Sequence, residues 1–145
     1  MTSALDTNVV SALLEEFDAN HEVAVQLLEA VYSTGRVVMF GAVYAELIAS
    51  PKRYQNDIDA FLERTGTELD WQVSEGIWRT AGAGYKAFTL RRTASGGTIP
   101  RRLLTDFVIG AHALEHGLQL VTLDNRFQRA AFPKLKTLGL QNLER

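Results

Sequence analysis

The stretch SALDTNVV, residues 3–10, sets the pattern around which the rest of the chain is organised. Its short apolar run ends abruptly in Asp6, a carboxylate that is costly to remove from water. The run predicts a short buried strand, and Thr7 or Asn8 is a suitable N-cap for the helix that follows. Because these two neighbours offer caps of their own, we expect Asp6 to serve a function other than capping.

Short strands and helices alternate along the whole chain. Strands are predicted, from apolar and β-branched runs, at residues 3–5, 37–40, 69–71, 118–122 and 136–138. Helices are predicted, from apolar positions at helical spacing, at residues 8–16, 21–33, 41–50, 52–64, 75–91, 102–116 and 125–130. Residues 92–101 are predicted as a loop. This alternation indicates an α/β fold with a parallel sheet and helices on both faces.

Length and composition limit the classes of protein to consider. The 145 residues fit one globular domain, residues 1–145, with 46% hydrophobic and 22% charged residues. No apolar run approaches the roughly 20 residues of a membrane span, and the N-terminus carries no export signal. The absence of cysteine excludes disulfides, thiolate chemistry and cysteine-based zinc sites. We therefore expect a cytoplasmic protein without membrane association.

The net charge of −2 conceals an uneven distribution. Between Ile77 and Thr105 there are six basic residues and no acidic one, which leaves nine of the 15 basic residues against all 17 acidic ones elsewhere. The six are Arg79, Lys86, Arg91, Arg92, Arg101 and Arg102. Two interpretations stay open, since such a stretch occurs on solvated helix faces and loops as well as on nucleic-acid-binding surfaces.

Four acidic residues occur where the predicted fold can bring distant parts of the chain together. Asp6 and Asp124 directly follow predicted strands, and Glu46 lies in the helix after the second strand. Asp106 lies near a helix start, which favours an anion, and Gly110 one turn later leaves room for close approach. Because the functional crevice of a parallel sheet lies beyond the carboxyl ends of its strands, we expect the four acids to converge there.

Each acid also has a purely structural alternative. Asp6 can serve as an N-cap, and Glu46 can be an ordinary exposed acid on its helix. Thr105 offers a cap in front of Asp106, which makes that acid redundant for capping. Asp124 begins a natural Asp-Asn turn. These alternatives stay open for each residue taken singly.

Convergent carboxylates repel one another unless a cation lies among them. Ligation by oxygen alone points to a hard ion, Mg²⁺ or Mn²⁺, in preference to zinc. Such an ion suits phosphodiester hydrolysis, because it activates water and neutralises charge that develops on the phosphate and the leaving oxygen. The sequence therefore predicts a metal-assisted phosphodiester-cleaving site.

Two histidines, His112 and His116, stand four residues apart on the predicted helix that carries Asp106. They lie off the Asp106 face of that helix. Because no acid beside them in the sequence completes a zinc site, we interpret them as structural or solvent-facing residues.

Four short motifs follow one another along the chain. They are LDTNV at residues 5–9, AEL at residues 45–47, TDFVIGAHA at residues 105–113 and VTLDNRF at residues 121–127. In this order they resemble the acidic motifs of PIN-domain ribonucleases, and more narrowly those of the VapC-type toxins of bacterial and archaeal toxin–antitoxin pairs. The resemblance covers essentially the whole chain and implies a three-layer α/β/α sandwich with a central, mostly parallel sheet. It also implies metal-dependent endoribonuclease activity.

The resemblance assigns expected roles to matching residues. The acidic catalytic quartet that would hold Mg²⁺ or Mn²⁺ is Asp6, Glu46, Asp106 and Asp124. The supporting polar residues would be Asn8 and Thr122. With RNA as the substrate, the basic stretch supplies arginines that would border the cleft and hold the RNA backbone without reading its sequence. These are Arg91, Arg92, Arg101 and Arg102.

The resemblance also implies protein partners. A small cognate antitoxin would fill a groove near the active site, and two copies of the chain would form a homodimer through their N-terminal helices. The apolar residues considered for the groove are Val43, Leu47, Ile58, Phe61 and Leu62, although packing in the core explains them better.

Two other functions stay open. A haloacid dehalogenase-like phosphatase would use Asp6 as a covalent nucleophile, but Asp106 and Asp124 supply its remaining acidic pair poorly. A catalytically silent PIN-like module would bind RNA or protein without cleaving RNA. The nuclease hypothesis accounts for all four acids, so we prefer it.

Overall fold

In the computed structural model, residues 1–97 and 101–143 are described, and they form five strands and eight helices. The strands are β1 (Ser3–Leu5), β2 (Val37–Phe40), β3 (Glu68–Asp70), β4 (Gln119–Val121) and β5 (Thr137–Leu138). The helices are α1 (Thr7–Leu14), α2 (His21–Thr34), α3 (Gly41–Ala49), α4 (Gln55–Thr65), α5 (Glu75–Ala94), α6 (Leu104–Glu115), α7 (Asn125–Ala131) and α8 (Leu140–Leu143). No helix within the described ranges is long and apolar enough to cross a membrane.

The five strands form one sheet in the order β3-β2-β1-β4-β5, and every neighbouring pair is parallel. In the central strand β1, Ser3 pairs with Val37 on one side and with Gln119 on the other. All residues of β1 and β2 are buried, as expected of a parallel sheet covered by helices on both faces. The predicted α/β/α sandwich is confirmed, and its sheet is entirely parallel. The strands therefore all end along one side of the sheet, here called the carboxyl edge.

Three helices begin one to three residues away from their predicted starts, and the same kind of contact sets each start. In each case an acidic side chain accepts a hydrogen bond from a backbone N–H at the helix start, which the helix itself leaves unpaired. The pairs are Asp6 with Thr7 at 2.7 Å for α1, Asp57 with Tyr54 at 3.0 Å for α4, and Asp106 with Leu103 at 3.1 Å for α6.

Glycines with a left-handed backbone end two helices. Gly66 has a φ of 69° after α4, and Gly117 has a φ of 65° just beyond α6, values that favour a residue without a side chain. Helix α5 runs to Ala94, three residues further than predicted, so the start of the predicted loop at residues 92–101 is helical. Residues 98–100 of that loop lie outside the described residues. The short helix α8 was not predicted.

The apolar residues considered for a partner groove lie in the hydrophobic core. All five are buried: Val43, Leu47, Ile58, Phe61 and Leu62. Core packing is therefore their role, and none of them lines a surface groove.

An aromatic cluster joins α5, α6 and α7. The ring of Phe107 stacks on Tyr85 at a centroid distance of 4.4 Å and makes edge contacts with Phe88 at 5.7 Å and Phe127 at 5.3 Å. Pairs of this kind contribute about 0.5–1.5 kcal/mol each beyond the burial of their area. Because Phe107 follows Asp106 directly, the cluster fixes the first turn of α6 and with it the backbone of that acid.

Candidate active site

Asp6 is the first residue after β1 and lies at the middle of the carboxyl edge. Only 8% of the surface of this residue is exposed to solvent. Oδ1 accepts a hydrogen bond from the N–H of Thr7 at 2.7 Å, and Oδ2 accepts one from Oγ1 of Thr122 at 2.8 Å. Asp6 is therefore the N-cap of α1, and the expectation that Thr7 or Asn8 would cap this helix is wrong. The reason is that the helix begins directly at Thr7, which leaves Asp6 in the extended conformation that an N-cap requires.

Two other acids act on the charge of Asp6. Burial raises the pKa of its carboxyl from 3.8 to about 6, against the hydrogen bonds from Thr122 and Thr7, which lower it. The negative charges of Asp106 and Glu46 make a smaller contribution to the same rise. These acids come from α6 and α3, so charges from two distant parts of the chain act on the Asp6 carboxyl at the carboxyl edge.

The buried hydroxyl of Thr122 links β4 to the start of α1. Besides donating to Asp6, Oγ1 accepts hydrogen bonds from Nδ2 of Asn8 at 3.4 Å and from the N–H of Asp124 at 3.0 Å. Oδ1 of Asn8 in turn accepts the N–H of Leu123 at 3.1 Å. This network holds the Asp6 carboxylate in a fixed orientation, which is the kind of contact that a supporting polar residue makes.

Glu46 projects from α3 toward the start of α1. Its Oε1 accepts a hydrogen bond from Oγ1 of Thr7 at 2.6 Å. Thr7 therefore contacts Asp6 through its backbone N–H and Glu46 through its side chain. The sequence suggested Thr7 only as a helix cap, because its contact with a residue 39 positions away depends on the tertiary fold.

Asp106 lies in the first turn of α6, where unpaired N–H groups and the helix dipole favour an anion. Its Oδ2 accepts the N–H of Leu103 at 3.1 Å, so Asp106 caps this helix and the expected cap, Thr105, does not. The close approach predicted at Gly110 is confirmed. A Cβ atom added there would lie 2.3 Å from Oε1 of Gln128, whose Nε2 donates to the carbonyl of Asp106 at 3.1 Å.

Asp124 is bound in an ion pair. Its Oδ2 lies 2.5 Å from Nη1 of Arg102, and the same guanidinium lies 4.3 Å from the centroid of the Phe127 ring. The side chains of Arg102 and Asp124 are 29% and 35% exposed. Among the ion pairs of residues 1–97 and 101–143, Asp124 is thus the one predicted acid of the four whose charge is balanced by a neighbouring cation.

Two of the arginines predicted to bind RNA, Arg91 and Arg102, line a pocket of about 450 Å³ together with Asp124. Arg126 lines the same pocket, and sequence reasoning missed it because it lies outside the basic stretch at residues 77–105. The other two predicted arginines lie outside the lining of this pocket: Arg92, which is half-buried, and Arg101, which is exposed.

A larger pocket, of about 660 Å³, adjoins Glu46. Thr7 and Glu46 line it together with Lys52 and Arg53. The side chain of Arg53 is only 9% exposed and donates to Oγ of Ser11 at 2.6 Å. Sequence reasoning missed this basic pair. Lys52 and Arg53 stand at the start of the next predicted helix, residues 52–64, so no local pattern connected them with Glu46.

By its chemistry the donor set of Asp6, Glu46 and Asp106 suits a hard divalent cation, although among the described residues the three carboxylates do not all place an oxygen within 4.8 Å of one another. All three offer carboxylate oxygens, the ligands that Mg²⁺ and Mn²⁺ prefer. The charges of Glu46 and Asp106 help to raise the pKa of Asp6, and a bound cation relieves repulsion of this kind. Asp124 can join this set only by giving up its ion pair with Arg102.

A second group of metal-ligating side chains lies at the end of β3. Oδ2 of Asp70 lies 3.0 Å from Nε2 of His112 and 3.9 Å from Nε2 of His116. Burial lowers the pKa of His112, against the hydrogen bond to Asp70, which raises it. Sequence reasoning found no acid for these histidines, because Asp70 lies 42 residues before His112 and only the fold brings the two together.

A family model for the PIN domain matches residues 4–133. The chain belongs to the PIN domain family. Membership in this family favours the nuclease hypothesis over the phosphatase alternative. The comparison with curated proteins found no match.

Three solved structures share the fold of this PIN-domain protein. A VapBC2 from Rickettsia felis, bound to a DNA fragment from its promoter, is 24% identical over 96% of this chain and 98% of that one, with a TM-score of 0.66. A toxin–antitoxin complex from Klebsiella pneumoniae is 21% identical over 95% and 99% of the two chains, with a TM-score of 0.60. The toxin VapC20 from Mycobacterium tuberculosis, which cleaves the sarcin-ricin loop, is 17% identical over 92% and 98%, with a TM-score of 0.59.

Proposed function

We propose that this PIN-domain protein is a metal-dependent endoribonuclease and the toxin of a toxin–antitoxin pair. The observation that carries the proposal is that the charges of Asp106 and Glu46 help to raise the pKa of the buried Asp6 carboxyl at the carboxyl edge of a PIN fold. Crowding of like charges is unfavourable unless a cation lies among them. The crowding at Asp6 therefore supports a metal site in preference to a structural role for each acid.

In the proposed mechanism Asp6, Glu46 and Asp106 would hold Mg²⁺ or Mn²⁺, with Asp124 as a fourth acid. When bound, such an ion supplies activation of water and neutralisation of charge on the phosphodiester. The protein's own residues orient the ligands: Thr122 and Asn8 act on Asp6, and Thr7 acts on Glu46. These hydrogen bonds fix the side chains of Asp6 and Glu46 in place, which favours a preorganised pair of ligands.

The RNA backbone would lie along the arginines beside Asp124. Phosphate contacts by Arg91, Arg102 and Arg126 supply affinity without sequence preference, and these residues share one pocket. Arg92 and Arg101 would extend the same basic surface. Binding of a phosphate by Arg102 would compete with Asp124 for the guanidinium, which would release this acid toward the metal.

A cognate antitoxin and a second copy of the chain are the proposed protein partners. Two of the structures with the same fold support the first, since they are described as a VapBC2 and as a toxin–antitoxin complex. Both partners are tested by expressing the chain with its neighbouring reading frames and measuring the mass of the purified assembly by light scattering. A monomer that retains no neighbouring gene product would contradict this part of the proposal.

The activity is tested with purified protein and end-labelled RNA in the presence of Mg²⁺, Mn²⁺ or a chelator. We expect cleavage with either metal and none with the chelator. Asp6→Asn should lower the cleavage rate by at least about 100-fold while the circular dichroism spectrum stays native, since it removes the central ligand. The matched control is Glu22→Gln, an exposed acid on α2, which should cleave like the wild type.

The second candidate function is a catalytically silent RNA-binding module. The ion pair between Arg102 and Asp124 favours this candidate, because it neutralises one of the four acids. This candidate predicts salt-dependent RNA binding without cleavage in any divalent metal. Metal-dependent cleavage that survives in Asp6→Asn would contradict both candidates, because the cleavage would then not depend on the Asp6 carboxylate.

A further inference from the structure

A cluster of one aspartate and two histidines lies between the edge strand β3 and the end of α6. Asp70 is the last residue of β3, His112 lies on α6, and His116 is the residue that caps the end of this helix. The three ligand atoms lie within 4.8 Å of one another, with Oδ2 of Asp70 between the two imidazoles at 3.0 and 3.9 Å. Three possible ligands thus meet from two separate elements of the fold.

The surroundings hold two of these side chains in place. The ring of His112 is 1% exposed and stacks on Phe40, the last residue of β2, at a centroid distance of 4.0 Å. Oδ1 of Asp70 accepts the N–H of Gln72 at 3.0 Å, which turns Oδ2 toward the imidazoles. His116 is 47% exposed, so the cluster is rigid on its inner side and open to solvent on its outer side.

We propose that Asp70, His112 and His116 form a binding site for a divalent transition metal of the zinc class, separate from the carboxylates around Asp6. In tetrahedral zinc sites the metal lies about 2.0–2.2 Å from nitrogen and oxygen ligands, which places ligand atoms about 3.4 Å apart. The observed distances of 3.0 and 3.9 Å from Asp70 lie on either side of that value. The exposed side chain of His116 can make the remaining adjustment, and water can take the fourth position.

The two sites differ in the metal that they select. Two imidazole nitrogens and one carboxylate suit Zn²⁺, Co²⁺ or Ni²⁺, whereas Mg²⁺ prefers oxygen ligands alone. Asp106 stands six residues before His112 on the same helix, a separation of about 9 Å along its axis. Zinc bound at the cluster would therefore link the edge strand β3 to the C-terminal end of α6, the helix that carries Asp106.

The test is calorimetric titration of Zn²⁺ into the tag-free, metal-stripped full chain in the presence of excess Mg²⁺, which occupies a site built of oxygen ligands. The variants are His116→Gln and Asp70→Asn, which each remove one ligand. His116 is half-exposed, so its replacement leaves the core intact. The controls are His21→Gln, which changes the remaining histidine of the chain, and Asp6→Asn, which removes the central carboxylate of the other site.

We expect the wild type and both controls to bind one Zn²⁺ with equal affinity. His116→Gln and Asp70→Asn should bind Zn²⁺ roughly 10- to 100-fold more weakly, since even residues that only contact metal ligands have effects of this size. A second readout is the midpoint of thermal unfolding, which Zn²⁺ should raise in the wild type and the controls but much less in the two ligand variants.

Three results would overturn the zinc site: no Zn²⁺ binding by the folded wild type, equal binding by His116→Gln and the wild type, or binding lost only in Asp6→Asn. The last result would assign zinc to the carboxylates. The outcome is independent of the proposed nuclease activity, which is measured on the same proteins as Mg²⁺-dependent RNA cleavage. His116→Gln should retain that cleavage.

Discussion

The guanidinium of Arg102 lies 2.5 Å from the carboxylate of Asp124 and 4.3 Å from the centroid of the Phe127 ring. The ring orders the arginine side chain, so the ion pair forms without the full entropy loss of a free surface pair. Arg102 therefore decides whether Asp124 acts as a free carboxylate.

Replacing Arg102 should change how the protein binds Mg²⁺. In Arg102→Met the Asp124 carboxylate loses its cation and becomes available to the metal, so we expect Mg²⁺ to bind about tenfold more tightly, equivalent to about 1.4 kcal/mol. The measurement is calorimetric titration of Mg²⁺. Arg126→Met, an exposed arginine of the same pocket, is the control and should bind Mg²⁺ with affinity closer to that of the wild type. An equal gain in the Arg102→Met/Asp124→Asn double variant would show that Asp124 plays no part.

The raised pKa of Asp6 should appear in the dependence of stability on pH. The folded protein keeps a proton on this carboxyl up to about pH 6, whereas the unfolded chain releases it near pH 3.8. Between these values the folded state binds more protons, so the free energy of unfolding falls as the pH rises, by about 3 kcal/mol in total for this group. Asp6→Asn should lack this fall. Urea denaturation of both proteins between pH 4 and 7.5, without divalent metal, measures it. Parallel pH profiles would contradict the assignment.

The hydroxyl of Thr122 should matter to both stability and activity. Thr122→Val keeps the shape of the side chain but removes the hydrogen-bond partner of Oδ2 of Asp6 and of Nδ2 of Asn8, so we expect a loss of about 1–3 kcal/mol in the free energy of unfolding. RNA cleavage should fall as well, because Asp6 is less well oriented. Thr122→Ser retains the hydroxyl and should recover most of both properties. Urea denaturation and a cleavage assay give the two readouts, and a fully active Thr122→Val would rule out the orienting role.

Two helical glycines should respond in opposite ways to the same substitution. A Cβ atom at Gly110 would lie 2.3 Å from Oε1 of Gln128 and 2.6 Å from the ring of Phe132, whereas at Gly82 it would meet nothing within 4 Å. Gly110→Ala should therefore lower the free energy of unfolding by about 1–3 kcal/mol through overpacking. Gly82→Ala should raise it by about 0.5–1 kcal/mol, because alanine is the better helix former. Chemical denaturation compares them directly, and equal effects would contradict the packing between α6 and α7.

Local patterns were sufficient to predict most of the fold. The apolar runs at β1, β2 and β4 and the helical spacing between them predicted the parallel sheet, because hydrophobic periodicity reflects burial directly. The helix starts were less well predicted. Asp6, Asp57 and Asp106 each accept a backbone N–H at a helix start, and a sequence offers several candidate caps without showing which one the backbone reaches.

The sequence proposes the members of the candidate site but does not predict their contacts. Asp6, Glu46 and Asp106 stand out because topology brings the ends of parallel strands and the helices that follow them to one edge. Neither the ion pair of Asp124 with Arg102 nor the pocket shared by Glu46 and Arg53 has a local signal, since a side-chain contact depends on rotamers and packing.

The sequence by itself determined the α/β architecture, the order of the four acidic motifs and the edge at which they lie, because these follow from periodicity and strand direction. Only the tertiary structure decided which charges meet. It paired Asp124 with Arg102, joined Asp70 to His112 across 42 residues, and buried Asp6 deeply enough to raise its pKa to about 6. The physical reason is that hydrogen bonding and desolvation act over a few ångströms, a distance that sequence separation does not encode.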